Sequence, residues 1–364
     1  MPGIVTHHRA GHEVIRYLPK KKKGNYLTRM LRVRFSDAAF RNAAFFGMLG
    51  PNMFDYLPCN RENLFWGSKL SFLLHGEGGQ DVVSAMARAV KENRDTGTTW
   101  NNLQRGYLYG YCAHLLTDAV FHPYIYYWSG FPANGDTGER RFYREQHLMH
   151  EYNIDRYVEF YYETDNYTFR LGDMLPPVRK VKRKEMIRPV KSLILHALHE
   201  VYPREYKKIV WKAGKEKGNV DGDSMGIIDL VPNAVRAVYR LKHSKRSWLV
   251  DGLKNIRRNF PVYSDFIVQY PDPRRIEKHV LNLHRERWFY PAGDNGLHYE
   301  SVEDLLRKSR DLVIDYLEQL EYYLMPETED TFTTIMDVLP DALTGTAGRG
   351  AGDMTQQNPH KLRY

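Results

Sequence analysis

Histidines and acidic residues recur at intervals of four in two segments of the chain. The first segment contains His114, Asp118 and His122, and the second contains a similar set: His147, Glu151 and Asp155. Residues four apart lie on the same face of an α-helix. Imidazole nitrogens and carboxylate oxygens are common zinc ligands. Two such helices facing each other would therefore form a preformed metal cage.

An ion pair on a helix surface is the simpler interpretation of each pair of histidine and acid. The residues between the candidate ligands are apolar, however, and indicate that both helices are buried: Leu115, Leu116, Ala119, Val120, Phe121, Leu148 and Met149. Burying an unpaired histidine or carboxylate is costly, and coordination of a metal offsets that cost. The two segments together predict a metal site.

Two further histidines are candidate ligands in the N-terminal part of the chain. His75 ends an apolar helical stretch, just before a glycine turn. His7 stands at the start of the predicted first helix, where His8 and His12 compete with it because they are themselves four apart and could simply be exposed. The residue pattern alone leaves the choice among these three open.

The elements that position these residues are predicted to be helices. Apolar residues recur at helical spacing in most long segments, and strand-like alternation is scarce. The predicted helices lie near residues 6–18, 36–49, 64–75, 80–94, 99–121, 142–163, 184–201, 225–242 and 302–324. We therefore predict an all-α fold class, with a multi-helix domain followed by a helical C-terminal extension.

Turn chemistry and composition divide the chain into three parts. Residues 1–175 form the predicted metal-binding domain. A Pro-Pro and basic stretch at 176–184 marks a boundary, after which residues 176–325 form a helical extension of unknown role that we expect to pack on the first part. Residues 326–364 are rich in Thr, Gly, Asp and Gln and are expected to form a loosely ordered tail.

Composition limits the classes of partner and site. The chain has 364 residues and a formal net charge of +9, which favours anionic partners such as phosphates, nucleic acid or an acidic lipid surface. Only Cys59 and Cys112 occur, too few for a disulfide framework or a cysteine-rich zinc site. No apolar run is long enough for a transmembrane segment, and no signal peptide is recognised, so we expect a cytoplasmic location by default.

The order of motifs resembles that of the zinc-dependent phospholipase C family. The motifs are Met-Pro-Gly-Ile-Val-Thr-His7, Gly50-Pro51-Asn52, Gly67-Ser68 followed by His75, His114-x3-Asp118-x3-His122-Pro123, and His147-x3-Glu151-x3-Asp155. This family includes the clostridial alpha-toxin catalytic domain, and its helical fold is shared with single-strand-specific zinc nucleases. The resemblance covers roughly residues 1 to 160.

The resemblance implies a cluster of two or three zinc ions. One zinc would be bound by His75, His114 and Asp118, together with the third residue of the family's Gly-Pro-Asp motif. In this chain the corresponding residues are Gly50-Pro51-Asn52. A second zinc would be bound by a set from both helices: His122, His147 and Glu151. A third would be bound by His7 and would share Asp118.

One position departs from the family pattern. Asn52 stands where the family has aspartate, and an amide oxygen is a weaker, neutral ligand that cannot serve as a general base. Asp55, three residues later, is expected to take over that role and is the first candidate catalytic residue. Asp155 is the second, as a carboxylate that supports ligating imidazoles or orients a proton.

The family's activity implies hydrolysis of phospholipids to diacylglycerol and a phosphorylated head group by metal-activated water. The expected partner is thus a phospholipid or another phosphodiester, with possible peripheral contact to a membrane. The alternatives are a nuclease-like phosphodiesterase, with nucleic acid as the second choice of substrate, and a catalytically weak metal-binding structural protein. The aromatic run Tyr124, Tyr126, Tyr127 and Trp128 is either a substrate rim or ordinary packing at a helix end.

Overall fold

The computed structural model describes most of the chain. The described residues are 3–20, 25–57, 70–71, 73–75, 82–93, 98–131, 137–162, 167–177, 180–207, 226–243, 268–291, 296–326 and 328. The predicted tail at 326–364 lies almost entirely outside them.

The described part of the chain is all-α, which confirms the predicted fold class. Its helices are α1 (Ile4–Tyr17), α2 (Tyr26–Ser36), α3 (Ala38–Gly47), α4 (Val82–Glu92), α5 (Thr98–Ser129), α6 (Thr137–Phe160), α7 (Lys180–Val201), α8 (Gly226–Lys242) and α9 (Val302–Tyr323). Short 3-10 helices occur at Leu18–Lys20, Pro51–Tyr56, Leu171–Met174, Pro273–Arg275 and Lys278–Leu281. Two short strands, β1 (Trp288–Phe289) and β2 (Leu297–His298), pair antiparallel with Trp288 opposite His298.

Helix α5 is the central element, because α1, α3, α4, α6, α7 and α9 all pack against it. Its contact with α3 is unusually close. A Cβ atom added to Gly110 would lie 1.8 Å from the carbonyl oxygen of Ala44. Glycine is therefore required at this point of α5 for the two backbones to approach. The close approach fixes the position of α5 one turn before His114.

Helix α5 continues beyond the end that its sequence predicts. Pro123 lies inside it, and the sequence places the helix end near residue 121, whereas the helix runs to Ser129. Proline disfavours a helix interior by removing one hydrogen bond. Tertiary packing offsets this cost, since Tyr124 and Ile125 are fully buried and the Tyr124 hydroxyl donates to the carbonyl of Val280 at 2.6 Å.

The second half of the chain shares one hydrophobic core with the first. Helix α9 packs against α1, α2 and α5, and α7 packs against α4 and α5. A buried polar network reinforces this contact: Glu321 of α9 accepts from Arg34 Nε at 2.8 Å and from the Tyr109 hydroxyl. Residues after 176 are thus part of the structure that holds α5 in place. None of the described helices is long and apolar enough to cross a membrane.

Candidate metal centre

Asp118 is fully buried on α5, and three imidazoles surround its carboxylate. His7 Nε2, from α1, lies 3.1 Å from Oδ1. His114 Nε2, one turn earlier on α5, lies 3.2 Å from Oδ2, and His75 Nε2 lies 3.6 Å from the same oxygen. Together with Asn52, these four residues form what we call the Asp118 cluster. Three chain segments far apart in sequence meet α5 here.

Backbone carbonyls select the tautomer of two of these histidines. His114 Nδ1 lies 3.0 Å from the carbonyl oxygen of Met48, and His75 Nδ1 lies 2.6 Å from that of Ser71. A carbonyl oxygen only accepts hydrogen bonds, so Nδ1 carries the hydrogen in both rings. With the hydrogen on Nδ1, a neutral ring presents the lone pair of Nε2 toward Asp118. Metal-binding histidines commonly have this arrangement, in which the ring N–H donates to a carbonyl or carboxylate and the other nitrogen binds the metal.

Lone pairs that face a carboxylate repel it, so the cluster needs a positive charge at its centre. Neither oxygen of Asp118 has a hydrogen-bond partner among the described residues. The His7 ring is a poor source of that charge at neutral pH, because burial and the neighbouring His114 ring lower the pKa of His7 to about 4. A metal cation would satisfy the carboxylate and the imidazole nitrogens together.

The distances in the Asp118 cluster fit one cation. Ligand atoms of His7, His114 and Asp118 all lie within 4.8 Å of one another. In the part of the chain that the structure describes, they are the only group of three such side chains that converge this closely. All three residues are buried. The cluster could therefore hold a metal ion with nitrogen and oxygen ligands, as the sequence predicts.

The turn before Asn52 is shaped to fit the His114 ring. Gly50 has φ +55°, and a Cβ atom there would lie 2.1 Å from Cδ2 of His114. Both facts require glycine at this position. Asn52 Nδ2 lies 3.4 Å from His114 Nε2, and its buried Oδ1 has no hydrogen-bond partner among the described residues. A flip of this amide would turn its oxygen toward the cluster, where it can act as a neutral ligand.

A second group of candidate ligands lies one turn further along α5. His122 follows Asp118, and its ring lies 5.6 Å from that of His147 on α6. His147 Nε2 lies 2.8 Å from Glu151 Oε1. We call His122, His147 and Glu151 the Glu151 cluster. Their ligand atoms do not converge on one point as closely as those of the Asp118 cluster.

Burial keeps the Glu151 cluster in a state suited to binding a cation. Both ring nitrogens of His122 are buried without a hydrogen-bond partner among the described residues. Burial also holds the pKa of His122 and of His147 well below the ordinary value. Both rings are thus neutral and have a lone pair to donate. Burial raises the pKa of Glu151, which shows that its negative charge is poorly solvated there.

Asp155 contacts the N-terminus of α1, whereas the sequence predicts contact with imidazoles. Its Oδ1 accepts from the Thr6 amide at 2.9 Å and the Thr6 hydroxyl at 2.7 Å. Its Oδ2 accepts from the Val5 amide at 3.2 Å and the Tyr270 hydroxyl at 2.8 Å. Asp155 thus satisfies free amides of the first turn of α1. It positions His7 through the backbone.

Asp55 lies beside the Asp118 cluster. It accepts a hydrogen bond from the Ser71 hydroxyl at 3.0 Å, in the same short segment that supplies His75. Burial raises the pKa of Asp55 to about 6, against the opposing effect of the Arg144 guanidinium. A carboxyl group with this pKa can take up a proton near neutral pH.

The aromatic run after His122 divides into two kinds of residue. Tyr124, Tyr127 and Trp128 pack against Trp288 or His279, which supports the packing interpretation for them. Tyr126 differs, because its ring lies 4.7 Å from that of His147 and so forms a wall of the Glu151 cluster. Its position four residues after His122 is the sequence signal for this placement.

Two polar residues at the site are absent from the sequence prediction. Tyr152 follows Glu151, and its hydroxyl accepts from the buried ammonium of Lys242, at the end of α8. Lys242 continues the buried face of α8 formed by Ile228, Val231 and Val235. A lysine at helical spacing from three buried aliphatic residues is the signal that could have identified it.

Comparisons with protein-family models, with curated proteins and with solved structures find no match for this chain. The geometry of the two clusters and the resemblance of the sequence motifs are therefore the evidence that bears on function.

Proposed function

We propose that this protein is a zinc-dependent phosphodiesterase that hydrolyses phospholipids to diacylglycerol and a phosphorylated head group. The observation that carries the proposal is the convergence of three imidazoles on the buried carboxylate of Asp118. The Glu151 cluster, whose His122 lies one turn further along α5, offers ligands for a second cation. Sites with two metals next to each other are typical of phosphate ester hydrolysis.

The donor atoms favour zinc over the harder divalent cations. Imidazole nitrogens dominate both clusters, whereas Mg²⁺ and Ca²⁺ prefer sites made of oxygen ligands. The Asp118 cluster would hold one ion through His7, His75, His114 and Asp118, with Asn52 as a further neutral ligand. When bound, zinc ions would supply Lewis-acid activation of water and stabilisation of charge on a phosphodiester.

The protein's own groups have distinct tasks in this proposal. Asp55 accepts the proton that water loses, since its raised pKa suits a general base near neutral pH. Ser71 holds the Asp55 carboxylate in place. Asp155 fixes the start of α1 and thereby the position of His7. Asn52 adds no charge, so Asp55 is the base in this region.

An aromatic ring beside the Glu151 cluster is compatible with a lipid substrate. Tyr126 is partly buried, and its ring lies 4.7 Å from that of His147. Such a ring can contact an acyl chain or a head group. A nucleic-acid base would also stack on it, which makes a nuclease the second candidate.

The first experiment measures zinc per chain by elemental analysis of protein purified without added metal. His114→Ala and Glu151→Ala should each lose zinc, while His196→Ala, an exposed histidine on α7, should not. Hydrolysis is then compared on phosphatidylcholine vesicles and on single-stranded oligonucleotides. Absence of zinc from the wild-type protein would contradict the proposal.

The two hydrolysis assays distinguish a phospholipase, a nuclease and a metal-binding structural protein. Hydrolysis that requires the lipid interface supports the phospholipase activity, whereas turnover of oligonucleotides alone supports the nuclease. Full zinc occupancy without hydrolysis of either substrate would indicate a metal-binding structural protein.

A further inference from the structure

Lys242 places a buried positive charge beside the candidate metal centre. It is the last residue of α8, and only 8% of it is exposed. Its ammonium donates to the Tyr152 hydroxyl and lies 5.0 Å from the centre of the Tyr152 ring. It also lies 5.4 Å from the centre of the Tyr56 ring. The residues next to these tyrosines in sequence are Asp55 and Glu151.

The ammonium has more hydrogens than partners. A lysine has three N–H donors. Among the described residues, the Tyr152 hydroxyl is its one recorded acceptor, and it forms no ion pair with a carboxylate. Burial lowers the pKa of Lys242 to about 8, and the charges of Glu151 and Asp55 oppose that effect. Lys242 thus stays largely protonated at neutral pH, with donors left for another acceptor.

The charge balance of the site points to the kind of acceptor. The carboxylates whose charges act on Lys242 are Glu151, Asp55 and Asp155, and the Arg144 guanidinium adds a second positive charge. With Asp118, the carboxylates of the site carry four negative charges. Two divalent cations would balance these negative charges and leave the ammonium of Lys242 without a counter-charge. A buried unpaired ammonium is costly, so an occupied site would favour a further anion. The anion that the proposed reaction brings to the site is a phosphate ester.

We propose that Lys242 is an anion-binding residue of the site, whose ammonium, held by the Tyr152 hydroxyl, binds an oxygen of the substrate's phosphate group. This inference rests on the proposed function and gives the second half of the chain a part in it. A lysine acts on phosphate as a point charge, so it would hold the group without fixing its rotation. The competing role is structural, with Lys242 serving only to balance Glu151 and Asp55.

The test measures binding of inorganic phosphate by isothermal titration calorimetry, with zinc-loaded and with chelator-treated protein. Lys242→Gln removes the charge, and we expect the phosphate association constant to fall at least about tenfold, as loss of a charged hydrogen bond implies. Zinc affinity should stay the same or rise, because a neighbouring positive charge is gone. Lys191→Gln is the matched control, since Lys191 is also buried but pairs with Asp229 on α8.

Two further variants keep the test decisive if Lys242→Gln folds poorly. Lys242→Arg retains the charge and should retain most of the phosphate binding. Tyr152→Phe removes only the hydroxyl that holds the ammonium, and it should weaken phosphate binding by a smaller factor. Far-UV circular dichroism checks the fold of each variant.

The outcomes separate this inference from the proposed function. Three outcomes would overturn the role of Lys242. The first is equal phosphate binding by wild-type protein and Lys242→Gln, and the second is an equal loss of binding in Lys191→Gln. The third is absence of phosphate binding by wild-type protein, both with zinc and after treatment with chelator. Zinc content of the same samples reports on the metal centre independently. If the wild-type protein contains no zinc as purified and its phosphate binding still depends on Lys242, the anion site is supported and the zinc enzyme is contradicted.

Discussion

The Asp118 cluster and the Glu151 cluster use the same ligand types at the same helical spacing, yet they differ in preorganisation. In the Asp118 cluster, three imidazoles from three segments already point at one carboxylate, and backbone carbonyls fix two of the rings. In the Glu151 cluster, His147 is already paired with Glu151, and the His122 ring lies 5.6 Å from the His147 ring. Preorganised ligands bind with a smaller entropic cost. The Asp118 cluster should therefore bind zinc more tightly.

Replacing Asp118 should have the largest effect on the difference in zinc affinity between the two clusters. Asp118→Ala removes the only carboxylate of its cluster and would leave a bound zinc ion with neutral ligands only. We expect zinc affinity of the cluster to fall by more than about 100-fold, beyond the ~10–100-fold typical of losing an outer partner. Competition titration with a chelating dye measures the change. Asp118→Asn keeps the shape, and full zinc retention by that variant would show that the carboxylate is not the centre of the site.

Gly50→Ala should damage the Asp118 cluster without touching a ligand. The added Cβ would overlap the His114 ring, and φ of +55° is strained for alanine. We expect a loss of about 1–3 kcal/mol in the free energy of unfolding and weaker zinc binding at this cluster. Urea unfolding and zinc titration measure the two effects.

Gly172→Ala is the matched control, because no atom of the described residues lies within 4 Å of the Cβ position there. It should leave both quantities unchanged. If Gly50→Ala and Gly172→Ala behave alike, the fit of the Gly50 turn to the His114 ring has no energetic importance.

Asp155→Ala should have a smaller effect on zinc, transmitted through α1. It removes the acceptor of two amides in the first turn of that helix, and loss of such a cap costs about 0.5–2 kcal/mol of stability. Because His7 lies in the same turn, zinc affinity of the Asp118 cluster should fall about tenfold, within the range for outer partners.

Ser301→Ala removes the cap of α9 and tests whether the Asp155 effect is specific. It should cost similar stability and leave zinc binding unchanged. Equal zinc affinity in Asp155→Ala and wild-type protein would mean that the start of α1 does not position His7.

The helices and the ligand spacing could be predicted from sequence because both are local properties. Eight of the predicted helices, including those that carry His114 and His147, begin within five residues of observed helices. The all-α class followed from the same periodicity. Helix α2 was not predicted, because arginines at 29, 32 and 34 interrupt its apolar face.

Contacts between distant segments could not be predicted in this way. Asp155 stands at ligand spacing from Glu151, and only the fold shows that the first turn of α1 lies against it, about 150 residues away in sequence. Lys242 likewise reaches Tyr152 from a segment that the sequence motifs do not cover. The choice of His7 over His8 and His12 depended on resemblance. In the fold, His7 faces Asp118, whereas His8 Nδ1 lies 2.7 Å from the Tyr167 hydroxyl.

His122→Ala should have the smallest effect on the Asp118 cluster and thereby test whether the two clusters bind independently. His122 lies one turn from Asp118, but its ring lies beside His147 and Tyr126. We expect the weaker zinc to be lost while affinity at the Asp118 cluster changes by less than about twofold, since sites without shared ligands behave nearly additively. Stepwise zinc titration gives both constants. Simultaneous loss of both ions would show that the clusters form one coupled site.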